Sequence, residues 1–296
     1  MSTSSSGYYL PEPSHWPITG SIGLFSVFVG GAMWLNKVAI GPLVLAFGFA
    51  VFIYMLFGWF GTVIRESEAG TYNSQADMSF RWGMFWFIVS EVMFFAAFFG
   101  ALFYARVLSV PWLGGAGGEF ATHNFIWPGF NPSWPLNVVP STKLIEEGIF
   151  SAYHEVIPAF GVPAVNTLIL LSSGATVTAA HHALKKNNRS ALNWWLFATL
   201  ALGFLFVGLQ AMEYHEAYSE LGLKLSSGIY GSTFFMLTGF HGFHVTIGAT
   251  MLTVIWARSL RGHFKPEHHF GFEAVAWYWH FVDVVWLGLF IFVYWL

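Results

Sequence analysis

Seven stretches of this chain stay apolar for long enough to cross a bilayer core, which takes about 20 residues of helix. The pattern predicts spans from about Trp16 to Asn36, Gly41 to Ile64, Phe80 to Val107, Pro163 to Ala183, Leu192 to Glu213, Gly228 to Trp256 and Ala274 to Leu296. Pro17 falls in the first turn of its helix, where a missing N–H is harmless. The second span stops at the charged run Arg65, Glu66, Glu68. The fourth carries Thr167, Ser172, Ser173, Thr176 and Thr178, so it should face other helices, where hydroxyls find partners. Gly20, Gly23, Gly30 and Gly31 give the first span the small-residue signature of close helix packing.

Between the third and fourth spans lies a polar, Pro/Gly-rich connection, about 111–158. Its segment from Thr142 to Ile157 mixes Leu144, Ile145, Ile149 and Phe150 with Lys143, Glu146 and Glu147, and reads as a short interfacial helix. There is no internal repeat. The expected fold class is an all-α membrane protein with a single transmembrane domain over 1–296. Residues 1–70, a polar tail plus two spans, form a subgroup, and 71–296 hold the other five. The N-terminal MSTSSSGYYLPEPSHWP lacks a basic n-region, a small-residue cleavage site and the Arg-rich pattern of a transit peptide, so it reads as a retained tail.

Composition agrees. Only 9% of residues are charged, against about 25% in soluble domains. Aromatics make up 20%, which suits lipid-facing and interfacial positions. A net charge of −3 leaves no basic stripe for nucleic acid. The absence of cysteine excludes disulfides, iron–sulfur clusters, covalent c-type haem and cysteine-ligated copper. Basic residues number eight on the N-terminal side (Arg65, Arg81, Lys185, Lys186, Arg189, Arg258, Arg261, Lys265) and four on the other (Lys37, Arg106, Lys143, Lys224). By the positive-inside rule the N-terminus is cytoplasmic and the C-terminus and long connection lie outside.

Candidate chemistry is confined to a few polar groups within spans. Glu91 lies ten residues beyond Arg81, about 15 Å along a helix and so near the midplane. An intramembrane carboxylate is expensive unless protonated or paired. It is either a proton-exchanging site or a neutral carboxyl that fixes packing. His241 and His244, at i,i+3 on one helix, and His280 and Asp283, at the same spacing on another, are the expected partners for Glu91 or for one another. Two histidines on one helix face do not specify a haem, so no metal site is expected. The adjacent pairs His181–His182 and His268–His269 diverge around their helices and read as interfacial groups, not chelates. Glu213, His215 and Glu216 read as a solvated cluster. Trp59, Arg65 and Glu66 close the second span and Arg258 and Arg261 the sixth, where they either bind phospholipid headgroups or anchor helix ends.

The strings RWGMFWFIVSEVMFF, VPAVNTLILLSSGATVTAAHHAL, LQAMEYHEA, GIYGSTFFMLTGFHGFHVTIGA and HHFGFEAVAWYWHFVDVVWL, with VIRES at Val63–Ser67, closely resemble subunit III of the haem–copper cytochrome c oxidases. The resemblance spans nearly everything outside the tail and the long connection. It implies seven transmembrane helices arranged as two plus five, with a cleft between them that holds phospholipid. It implies a subunit without haem or copper, those cofactors residing in partner subunits. Subunits I and II and small accessory subunits are the implied partners, and stabilising the complex and sustaining proton uptake the implied roles. Glu91 matches the family's intramembrane glutamate, and Arg65 and Arg258 its lipid-contacting positions, with Trp59 nearby. His241, His244, His280 and Asp283 match its motifs on the sixth and seventh helices. The long connection points to a bacterial form in the cell inner membrane. Subunit III of a quinol oxidase, a di-haem anchor and a stand-alone proton-coupled transporter are the alternatives; the transporter lacks the expected inverted repeats.

Overall fold

The computed structural model describes residues 12–118, 120–141 and 143–296, leaving out the Leu144 side chain. The tail over residues 1–11, Thr142 and the Leu144 side chain therefore lie outside the described residues. Among those described, α1 (Trp16–Leu35), α2 (Gly41–Glu68), α3 (Ser74–Phe103), α4 (Val110–Leu113), α5 (Lys143–Glu146), α6 (Val162–Lys185), α7 (Arg189–Ser219), α8 (Gly228–Leu260) and α9 (Phe270–Leu289) follow in order. Wider π-type turns carry α3 into α4 over Tyr104–Ser109 and end the last span over Phe290–Trp295. Seven helical runs are long and apolar enough to cross a membrane, and the chain is an all-helical integral membrane protein.

Several helices overrun their apolar stretches. α2 continues past Arg65 to Glu68, and α7 begins at Arg189 and reaches Ser219. The physical reason is that hydropathy marks where lipid stops, while Arg, Glu and Ala continue a helix readily in water or headgroups. Asn188 fixes the start of α7 by accepting from the Ala191 N–H. The expected interfacial helix shrinks to α5. Its successors Gly148–Ile157 are irregular because their backbone pairs elsewhere: Ser151 N–H donates to the Ser226 carbonyl and His154 N–H to that of Leu221.

The chain divides into two compact units, Met1–Trp82 and Gly83–Leu296. In the first, α1 and α2 meet through glycines. Gly23, Gly30, Gly41 and Gly48 each lie against backbone of the facing helix, the close approach that packs helices in lipid without a hydrophobic driving force. Gly31, by contrast, has open space where its Cβ would sit.

In the second unit the core is a large aromatic and aliphatic cluster from α3 and α6 to α9. Trp279 of α9 is fully buried because Gly203 of α7 and Gly248 of α8 leave room for its indole. The polar fourth span, α6, does find partners. The indole N–H of Trp279 donates to Ser173 Oγ and that of Trp286 to Thr167 Oγ1, both at 2.9 Å. Thr176 Oγ1 meets Thr199 Oγ1 at 2.8 Å.

The long connection folds on its own chain. Asn137 clamps Tyr153 in both directions, its Nδ2 donating to the Tyr153 carbonyl and its Oδ1 accepting the Tyr153 N–H. Burial pushes the Tyr153 phenol up to about 12. Trp127 and Trp134 pack on Val110, Phe130 and Leu136, and Trp134 meets Tyr230 edge-on. Arg106 hydrogen-bonds the Leu296 carbonyl and lies over the Trp134 ring. Both tryptophans therefore have contacts within the chain.

Candidate functional site

Glu91 and the four polar residues expected to pair with it or with one another lie in three places. Helix geometry gives the reason: positions three apart on a helix differ in direction by roughly 60°, enough to aim His241 and His244 at different neighbours.

Glu91 and His244 form the first. Glu91 Oε2 lies 2.8 Å from His244 Nε2, joining α3 to α8. His244 Nδ1 lies 2.6 Å from the Phe240 carbonyl one turn back. A carbonyl only accepts, so Nδ1 carries a proton. The contact to Glu91 then needs one further proton, carried either by the carboxyl or by Nε2. In both cases the pair is neutral overall, since two lone pairs do not meet at that distance. Phe95, Tyr278 and Phe281 surround the ring, which excludes water and strengthens the bond. His244 is buried, and Glu91 is partly buried.

His241 forms the second. Its Nε2 lies 3.2 Å from the Val282 carbonyl, and its ring sits against Phe206 and Trp286, away from Glu91. The third pairs His280 with Asp283 on the α6–α9 seam. Nδ1 and Oδ2 are 3.7 Å apart, too far for a hydrogen bond, while His280 Nε2 reaches Thr178 Oγ1 at 3.2 Å. Gly174 makes room for the buried Asp283 carboxyl, since a Cβ there would lie 2.5 Å from Oδ2.

The residues expected at lipid headgroups belong to separate units. In the first, the Arg65 guanidinium donates to Thr62 Oγ1 at 3.0 Å, Tyr72 donates to Glu66 at 2.6 Å, and Trp59 is exposed and stacked on Phe60. In the second, the Arg258 guanidinium lies 4.5 Å over the Phe264 ring, and exposed Arg261 caps α8.

Two groupings correct the sequence reading. Glu213 is only 1% exposed, not solvated. Its Oε1 accepts from Tyr294 Oη at 2.7 Å and Gln210 Nε2 at 3.0 Å, whereas His215 and Glu216 are exposed as expected. The spacing of Gln210 and Glu213, three apart, was the available signal. The histidine doublets also do not stay apart. His181 from one doublet and His269 from the other meet beside Glu273, in the one group of three among the described residues whose ligand atoms all lie within 4.8 Å, close enough to share a metal ion. His269 and Glu273 stand at i,i+4 and share a helix face; only the third member, from α6, was invisible in sequence.

Comparison with known proteins closes the question of family. The model of the cytochrome c oxidase subunit III family matches residues 6–126 and 120–296, two segments that meet inside the long connection. A cytochrome c oxidase subunit 3 of Arabidopsis thaliana is 43% identical over 289 residues, 97% of this chain and 96% of the relative. That of Marchantia polymorpha is 42% identical over the same shares. That of Equus caballus is 41% identical over 298 residues, all of this chain and 99% of the relative. These relatives are plant and mammalian, and the expectation of a bacterial form finds no support in them. With both matched segments and relatives of this identity spanning its length, the chain belongs to the cytochrome c oxidase subunit III family.

Proposed function

We propose that this chain is the non-redox subunit III of a proton-pumping cytochrome c oxidase in an aerobic respiratory chain. It packs beside the catalytic subunit I, with subunit II and small accessory subunits as further partners, and stabilises the complex. It binds phospholipid, and it sustains proton uptake into the catalytic subunit. Haem and copper reside in the partners. The observation that carries this reading is a family match over nearly the whole length, and the Glu91–His244 pair, neutral overall, supports it. Such a pair can keep a proton beside a neighbour without placing net charge in lipid.

Arg65 and Trp59 in the first unit, and Arg258 and Arg261 in the second, suit anionic headgroups, with Glu66 holding Tyr72 beside them. The eight-to-four distribution of basic residues supports a cytoplasmic N-terminus. A quinol oxidase would use the same fold. The relatives are named for cytochrome c oxidase, which favours that donor, and a stand-alone transporter has nothing further to support it.

The experiment is purification of the chain in mild detergent, followed by mass spectrometry and an optical spectrum. Co-isolation with a haem–copper catalytic subunit is expected. A chain that purifies alone and moves protons in vesicles would replace this reading with the transporter.

A further inference from the structure

A second cluster of titratable groups stands apart from Glu91, where the end of α6 meets the start of α9. His181 Nε2 and His269 Nε2 are 3.1 Å apart. Glu273 Oε1 lies 3.3 Å from His269 Nε2 and 3.6 Å from His181 Nε2. Ligand atoms on a tetrahedral zinc, bound at about 2.0–2.1 Å, lie about 3.3 Å from one another. The three atoms therefore already have the spacing of one face of such a tetrahedron.

Proton bookkeeping points the same way. His269 Nδ1 lies 3.1 Å from the Lys265 carbonyl and so carries a proton. In the neutral ring this leaves a lone pair on Nε2, turned toward the second imidazole and the carboxylate. A single proton placed between the two histidines joins those two groups only. A cation satisfies all three at once. Metal-bound histidines also characteristically donate their other ring N–H to a carbonyl, which fixes the tautomer. Here a tight turn does this: Lys265 and His268 exchange backbone hydrogen bonds, which holds the Lys265 carbonyl under the His269 ring. The His181 ring is steadied by Phe272 at 5.4 Å. All three side chains keep some exposure, which leaves a way in for an ion and for a fourth ligand.

We propose that His181, His269 and Glu273 bind one divalent cation of the zinc class as an N2O site that clamps the end of α6 to the start of α9. Imidazole with carboxylate selects such a borderline metal over magnesium or calcium, which take oxygen ligands. The proposal does not rest on the oxidase role, because the readout is metal content and not turnover.

The test compares wild-type chain, purified with whatever accompanies it in mild detergent, with His269→Ala and Glu273→Gln. Each sample is stripped with a chelator and re-equilibrated with zinc at one equivalent per chain. Zinc is then counted by mass spectrometry, and its shell read by X-ray absorption. Zinc bound by other chains in the complex is common to all three samples and cancels. The expected result is one more zinc per chain in the wild type than in His269→Ala, with imidazole scattering and a first shell at about 2.0 Å. Glu273→Gln, which keeps the side chain's shape, should bind zinc at least tenfold more weakly. Zinc should raise Tm of the wild type and leave His269→Ala unmoved. Equal zinc in the wild type and Glu273→Gln, or none in the wild type, overturns the proposal and leaves a protonated His–His contact in its place.

Discussion

The α1–α2 pair and the α6–α9 seam hold helices together in the same solvent by opposite means. At α1–α2 the contact is made by absence: Gly30 stands where a Cβ would lie 2.3 Å from the Leu45 backbone nitrogen, and Gly48 where it would lie 2.5 Å from that of Val27. At α6–α9 it is made by polar chemistry, indole N–H groups donating to hydroxyls that themselves donate to carbonyls one turn back. Lipid supplies no hydrophobic force between helices, so packing and hydrogen bonds are what remain. One interface should fail when bulk is added, the other when a donor is removed.

The largest effect is expected at Gly30. In Gly30→Leu the new atom meets backbone and cannot be accommodated by a rotamer change, so the destabilisation should exceed the usual overpacking range of about 1–3 kcal/mol. Gly31→Leu faces open space and should fold as the parent does. Cysteine cross-linking between α1 and α2 reads the difference; equal cross-linking in both variants would refute the close-approach account.

Next comes Trp279→Phe. It removes a donor to Ser173 and empties part of a space shaped by Gly203 and Gly248. A loss of about 2–3 kcal/mol combines a membrane hydrogen bond of roughly 0.6–1.7 kcal/mol with a small cavity. Denaturation in mixed detergent micelles measures it, and a change within error would mean that the indole bond contributes nothing.

At Glu91 the split between two variants matters more than either one. Glu91→Ala leaves His244 Nε2 without its partner, at about 1–3 kcal/mol. Glu91→Gln can donate an amide N–H to the same nitrogen, so the complex should assemble while losing the exchangeable proton. If the Gln variant failed to assemble, packing would replace the proton-related role.

The smallest effect on stability, about 1 kcal/mol, is expected when Arg65 and Arg258 are both replaced by Gln: exposed Arg65 contributes little to folding, and Arg258 loses its contact with Phe264. Bound phosphorus per chain should nonetheless fall. Unchanged phosphorus would mark both arginines as helix anchors only.

Sequence alone determined the solvent of this protein, the number and approximate positions of its long helices and the polar character of α6, because each follows from composition or local periodicity. The family strings, each running through a whole helix or more, were equally legible. Only tertiary structure decided which polar group meets which. His244 and not His241 takes Glu91, Glu213 is buried against Tyr294, and one member of each histidine doublet comes to stand beside Glu273. Those pairings join residues about 80 to 150 positions apart or depend on helix rotation. Hydropathy measures how much a residue prefers lipid to water and carries no information on the direction in which its side chain points once the helices pack.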